Sequence, residues 1–265
     1  MRSSPCLLVN GATLDLVPSR VMQARTIHVL RLLRTSDWVL QRKSDGRFFA
    51  VVRSAGNHMR WRWLVRSEVS ARRVEAEMLA RQARSSAQTF AHLPRYSAMD
   101  VFDREIDASY AQRTGLKRIA EPPVLAFGGF DRYHRPLWLE ASAAQAWNSL
   151  RAAALRDDVV LEAISGFRSR AYQVGIFRRK QARGQSMEEI LAVNAAPGFS
   201  EHHSGRALDV GTPGEPPAEE SFELTPAFAW LAENAARFCF VMSYPRDNPH
   251  AITYEPWHWM WRSTR

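Results

Sequence analysis

The sequence predicts an α+β fold: helices packed on a small antiparallel sheet, preceded by a basic N-terminal α/β extension. The predicted helices and short strands of the second half together make an α+β unit. A hydrophobic content of 46% with 24% charged residues is that of an ordinary folded domain. The net charge of +9 is unevenly spread: residues 1–100 hold 17 Lys and Arg against 7 Asp and Glu, and residues 101–265 hold 19 against 20. The chain thus divides into a basic region, 1–100, and a near-neutral domain, 101–265.

The first thirty-five residues mix apolar and basic positions without a firm pattern. From Asp37 to Arg53, apolar stretches flank Lys43-Ser44-Asp45-Gly46, and the Asp-Gly turn signal predicts a β-hairpin. Residues 58–66 alternate, with Met59, Trp61, Trp63 and Val65 on one face and Arg60, Arg62 and Arg66 on the other, as in a half-buried strand. Arginine interleaved with tryptophan also suits stacking on nucleic acid, but a strand with one core face is the favoured reading. Residues 70–92, rich in Ala, Arg, Glu and Gln, predict a basic and mostly exposed helix. Irregular structure and short segments linking the two halves are expected from Leu93 to Pro123.

The second half is more sharply patterned. Residues 141–157 predict an Ala-rich helix burying Trp147, Leu150 and Leu155, and Val159 to Ile164 a short strand. Ser165-Gly166-Phe167-Arg168-Ser169 then turns the chain into a helix reaching about Gln185, whose run Arg178-Arg179-Lys180 reads as a solvated face. Ser186-Met187-Glu188-Glu189 fits a capping box, in which Ser186 satisfies a free helix N–H and Glu189 reaches back. Thr225-Pro226 opens a further helix ending near Phe238, since proline at the first helical position loses no needed donor. Phe240–Tyr244 and Ile252–Trp261 read as strands.

Nothing approaches the roughly 18 consecutive apolar residues of a membrane-spanning helix, so no transmembrane segment is expected. The basic region would attract an anionic surface, whether wall polymer, lipid or nucleic acid, through salt-screened Coulomb forces. Cys6 and Cys239 are too few to define a disulfide framework. The residues after Met1 lack the continuous apolar stretch of a secretory signal, which by itself points to the cytoplasm.

Chemistry concentrates in three segments. In Ser200–Gly211, Asp209 interrupts the apolar run Ala207-Leu208-Asp209-Val210, and a buried carboxylate needs a cation or a metal. Tyr254-Glu255-Pro256-Trp257-His258-Trp259 again sets ionisable groups among large apolar ones, and the 165–169 turn adds one guanidinium. Two neutral imidazoles and one carboxylate leave an open fourth position on a tetrahedral zinc ion, the catalytic pattern. Such an ion lowers the pKa of its bound water toward about 7. Glu255 would take that water's proton and pass it to a leaving amine. Arg168 would stabilise a developing oxyanion or grip a terminal carboxylate.

Ser-Glu-His-His-Ser-Gly-Arg-Ala-Leu-Asp at 200–209 resembles the Ser-x-His-x-x-Gly-x-Ala-x-Asp signature of the VanY-type D-alanyl-D-alanine carboxypeptidases, of the lysostaphin/D-Ala-D-Ala metallopeptidase group and peptidase family M15. Glu-Pro-Trp-His at 255–258 is similar to that family's Glu-x-Trp-His element, and Ser-Gly-Phe-Arg-Ser followed by Gln173 to its Ser-Gly-Tyr-Arg-Ser segment. Ser-Tyr-Pro at 243–245 fits the strand before the last motif. Together the motifs cover roughly residues 120–265, in the family's order and spacing. The resemblance implies one zinc ion per chain, carried by the small sheet and held by His202, Asp209 and His258. It further implies Glu255 as base, with Arg168 near the reacting carbonyl. Phe167 stands where tyrosine is commoner, and Cys239 where glycine is frequent. His203, beside a ligand, is a rival for its place.

Ser200, Gln173 and Tyr172 either touch substrate or brace the turn they occupy. Trp257 is expected as a wall of the site or a core residue and Tyr244 as packing. The implied reaction is hydrolysis of the terminal D-Ala-D-Ala bond of peptidoglycan stem peptides or precursors. D,D-dipeptidase, L,D-carboxypeptidase and endopeptidase activities share the mechanism. A non-catalytic wall-binding protein and a nucleic-acid-binding protein are the alternatives of another class. The implied substrate points to the periplasm or cell wall, against the missing secretory signal.

Overall fold

The computed structural model describes residues 6–24, 26–55, 58–65, 67, 69–85, 106 and 109–263. They form two compact units: the described residues up to 85 with 122–127, and residues 106–121 with those from 128 onward.

The first unit contains β1 (Leu7–Asn10), β2 (Leu14–Pro18), α1 (Ile27–Arg34), β3 (Trp38–Arg42), β4 (Phe48–Ala55), β5 (His58–Trp63) and α2 (Val69–Ser85). The start of β6 (Val124–Phe130) returns to it. The strands follow the order β5-β4-β3-β2-β1-β6, and each pairing is antiparallel. The predicted hairpin is β3–β4: Gly46 takes a φ of 69° and donates to the Arg42 carbonyl, while the Asp45 carboxylate binds Arg42 and the Arg47 N–H.

Two apolar clusters lie on alternate strand positions, hence on opposite sheet faces. Val9, Leu14, Leu16, Leu40 and Val52 pack with Ala76 and Leu79 of α2. Val39 and Val51 pack with Leu32 and Leu33 of α1. Trp61 and Trp63 stack with centroids 5.7 Å apart, half-buried against the α2-side cluster, while Arg60 and Arg62 are exposed. The tryptophans therefore serve the core. β1, β2, a 3-10 turn at Ser19–Val21 and α1 lie in the first thirty-five residues, where no pattern was read. Residues 86–92 of the expected second helix and residues 93–105 of the expected irregular segment lie outside the described residues.

The second unit runs through α3 (Tyr110–Thr114), β7 (Pro136–Leu139), α4 (Ala141–Arg156), β8 (Glu162–Ser165), α5 (Arg170–Gln181) and α6 (Met187–Ala192). It continues through β9 (Ala207–Gly211), α7 (Pro226–Asn234), β10 (Phe240–Met242) and β11 (His258–Trp261). Its antiparallel sheet has the order β10-β11-β9-β8. The Ser186 capping box forms as expected, and Thr225 caps α7 with Pro226 at its first position.

Several boundaries differ from the sequence expectation. Leu155 is 63% exposed, whereas Trp147 and Leu150 are buried; Leu155 lies off the stripe through Ala143, Trp147, Leu150 and Ala154. The predicted strand at 159 begins only at Glu162, because the turn at Asp157-Asp158 ties the Val159 N–H to the Ala154 carbonyl. The helix expected to reach Gln185 ends at Gln181, and the α-helix after Thr225 ends at Asn234, with a 3-10 turn to Phe238. Residues 252–257 are not strand: the His258 N–H closes a turn onto the Glu255 carbonyl, so β11 starts at His258. Among the described residues no helix is long and apolar enough to cross a membrane.

Candidate metal centre and catalytic cleft

Strand register brings the chemistry together. β9 is buried along its whole length, which an Ala-Leu-Asp-Val-Gly sequence satisfies everywhere except at Asp209. In β11, His258 lies directly opposite Asp209, and on the other side of β9 Ser165 of β8 is its partner. Directly paired residues share a sheet face. His258 Nδ1 is consequently 3.1 Å from Asp209 Oδ1. The 3-10 turn Glu201–Ser204, closed by Gly205 at φ 68°, delivers His202 to the same point. His202 Nε2 lies 3.3 Å from Asp209 Oδ2. The two imidazoles meet edge to face, their centroids 4.9 Å apart.

One ligand atom from each of His202, Asp209 and His258 lies within 4.8 Å of the other two, and all three residues are buried. The spacing suits a small cation bound at roughly 2.0–2.2 Å by nitrogen and oxygen. The outer nitrogens are already engaged. His202 Nδ1 meets the Gly166 carbonyl at 2.7 Å, and His258 Nε2 meets Glu201 Oε2 at 3.0 Å. When each outer nitrogen donates, the inner His202 Nε2 and His258 Nδ1 present lone pairs, the tautomers a metal requires. The donor set therefore fits a zinc-sized ion.

The charges agree. Burial opposes ionisation of Asp209, but the neighbouring His202 and His258 outweigh it and hold the carboxyl well below the usual range. Burial also works against protonation of His258, yet its bonds to Asp209 and Glu201 raise it to about 10. Glu201 would be pushed up by burial, but His258 holds it at about 2. Burial lowers the pKa of His202. Glu255 lies beside the cluster, with Oε2 3.7 Å from His258 Nδ1. Burial raises its pKa to about 7, near the value a general base at neutral pH requires.

Arg168 reaches the same place from the 165–169 turn. Its Nη2 is 3.5 Å from Asp209 Oδ2, and its Nη1 donates to Gln173 Oε1 at 3.0 Å. Gln173, 1% exposed, donates in turn to the Ala195 carbonyl. Buried Ser200 lines the cleft, and its carbonyl accepts from the His203 N–H. His203 is not a ligand in this geometry. The Gly198 N–H donates to its Nε2, which leaves the Nδ1 proton to be donated to the Arg168 carbonyl at 2.6 Å. Burial lowers its pKa to about 4, in keeping with a neutral ring. Tyr172 is not brought to the cleft: it is 41% exposed, its backbone N–H donates to Ser169 Oγ, the cap of α5, and its ring carries the Arg179 guanidinium.

The cluster sits in a cleft of about 360 Å³. Trp257, Tyr254 and Tyr244 contribute to its wall, and Tyr244 packs on His258 with centroids 4.8 Å apart. Two contributors were not singled out in the sequence. Glu201, adjacent to His202, fixes the far side of the His258 ring and is itself held by Arg262 at 3.1 Å. Lys180, read as part of a solvated run, lines the cleft. Its spacing of seven residues from Gln173, two helical turns on one face, was the available signal.

Residues 136–264 match the family described as VanY: D-alanyl-D-alanine carboxypeptidase. The chain is similar to YodJ of Bacillus subtilis (strain 168), with 33% identity over 138 residues, 49% of this chain and 48% of that protein. It is also similar to the bifunctional D-Ala-D-Ala dipeptidase and D-Ala-D-Ala carboxypeptidase VanXYC of Enterococcus gallinarum, 29% identical over 152 residues, 54% of this chain and 76% of that one. Among solved structures it resembles the LdcB LD-carboxypeptidase, with 31% identity, a TM-score of 0.43, and coverage of 47% of this chain and 59% of that chain. The chain thus spans about half the length of the first of these relatives.

Proposed function

We propose that this chain, whose residues 136–264 belong to the VanY family of D-alanyl-D-alanine carboxypeptidases, is a zinc peptidase that hydrolyses the terminal D-Ala-D-Ala bond of peptidoglycan stem peptides or their precursors. The observation that carries the reading is the convergence of His202, Asp209 and His258 with Glu255 beside them in one cleft. In this reading residues 101–265 are the catalytic domain, and those three residues hold one zinc ion per chain.

Zinc, when bound, supplies a Lewis acid that activates water and polarises a carbonyl. The chain's own residues supply the remainder. Glu255 accepts the proton of the attacking water and passes it to the departing D-alanine amine; burial poises it for both transfers. Arg168, held by Gln173 and drawn toward Asp209, places positive charge where the carbonyl oxygen becomes an oxyanion. Ser200 and Gln173 are the remaining polar groups proposed to meet substrate. Trp257 and Tyr244 give the cleft an aromatic wall, and an apolar wall strengthens charge interactions beside it.

The test measures zinc content together with D-alanine release from a muramyl pentapeptide, comparing the parent with His202→Ala. One zinc per chain and D-alanine release, both lost in the variant, is the expected result. Zinc binding without D-alanine release would overturn the carboxypeptidase assignment, and dipeptide or intact-wall products would identify the dipeptidase or endopeptidase alternative.

A further inference from the structure

Lys180 is a half-buried cation of the cleft lining that makes no direct ion pair among the described residues. It sits two helical turns after Gln173 on α5, and both side chains line the cleft beside the metal cluster. Arg178 and Arg179 of the same run are exposed, so only the third residue of the run turns inward. Among the described residues the Lys180 ammonium has no hydrogen-bond or ion-pair partner. Burial and the Arg168 charge lower its pKa, and the Glu255 carboxylate works the other way.

Arg168 and Lys180 are the arginine and the lysine of the cleft lining. The guanidinium is already committed to Gln173 and Asp209. The ammonium keeps its donors free. A cation held partly out of water gains most from an anion that enters the same space. The anion available on an exopeptidase substrate is its C-terminal carboxylate, one residue beyond the scissile carbonyl.

We infer that Lys180 is the receptor for the terminal carboxylate of the substrate. The inference rests on the proposed carboxypeptidase reading and adds to it a residue and a charge requirement. A free acid at the end of the peptide is recognised, and a blocked end is not. Arg168 is thereby left to the carbonyl oxygen.

The experiment measures binding by calorimetry to zinc-loaded protein in a Glu255→Gln background, which suppresses turnover. The probes are Nα,Nε-diacetyl-L-Lys-D-Ala-D-Ala and its C-terminal carboxamide. With Lys180 present, the acid is expected to bind at least about 10-fold more tightly than the amide, the scale of a charge-assisted hydrogen bond. Lys180→Met should weaken the acid to the level of the amide and leave the amide unchanged, and Lys180→Arg should restore part of the preference. Zinc stoichiometry of each variant confirms that it is folded. An undiminished preference in Lys180→Met, an equal loss for acid and amide, or no preference at the outset would overturn the inference. The expected binding pattern in a protein whose parent form releases no D-alanine would keep the carboxylate site and remove the carboxypeptidase reading, so the two failures are distinct.

Discussion

Replacing Glu201 with glutamine removes one charge from the far side of a metal ligand without changing its shape. Glu201 is 8% exposed and serves two donors, His258 Nε2 at 3.0 Å through one oxygen and Arg262 Nη2 at 3.1 Å through the other. A glutamine has a single carbonyl oxygen, so one of these donors would face an NH₂ group instead. The imidazole of His258 would then lose its anionic partner, or its orientation, or both. Outer partners of this kind are worth about 10- to 100-fold in metal affinity, equivalent to about 1.4–2.8 kcal/mol. Glu201→Gln is therefore expected to weaken zinc binding by that factor, read by competition against a chelating zinc indicator at pH 7. Circular dichroism of the metal-free form should stay unchanged. Affinity within twofold of the parent would refute the assignment of Glu201 as the residue that orients His258.

The remaining predictions concern protons and the α5 side of the cleft. In the metal-free protein His258 has a pKa of about 10, above its ordinary 6.5, so it carries its proton at pH 7 and zinc must displace it. Zinc affinity should rise with pH between 6 and 8 by up to about tenfold per unit for that one proton, and a flat profile by calorimetry would contradict the protonated ring. Gln173→Ala frees the Arg168 guanidinium and leaves the Ala195 carbonyl without its donor, and should lower kcat/KM by about 10-fold or more. Tyr172→Ala, on the exposed side of the same helix, should stay within about twofold, since surface substitutions cost at most roughly 0.5 kcal/mol. Equal losses in the two variants would contradict the placement of Tyr172 outside the cleft.

The parts of the molecule legible in the sequence were those whose pattern is local. The Asp45-Gly46 turn, the Ser186 box and the Thr225-Pro226 start each depend on neighbouring residues, and each appears where expected. β1 and β2 were illegible for a physical reason. They are buried at every position, so neither shows the alternation that reveals a half-buried strand. The run 252–261 looked extended because it is aromatic and apolar, but Pro256 and the Glu255–His258 turn reserve its first half for the cleft. Cys239, where glycine was expected, has a φ of 63°, the left-handed conformation that explains the glycine preference. At the site, the expected metal, catalytic and substrate residues converge except Tyr172, because the register of β9 against β11 pairs Asp209 with His258. Glu201 and Lys180 went unassigned because their roles depend on side-chain directions: Glu201 lies behind a ring, and Lys180 turns inward from a charged run.

The most direct test of the central claim compares zinc content and D-alanine release in the parent and in Glu255→Gln. Both proteins should hold one zinc per chain, since Glu255 is not among the three ligands. The variant should release D-alanine about 10²- to 10⁴-fold more slowly, the usual contribution of a general base. A variant as fast as the parent, or a parent that binds no zinc, would contradict the account.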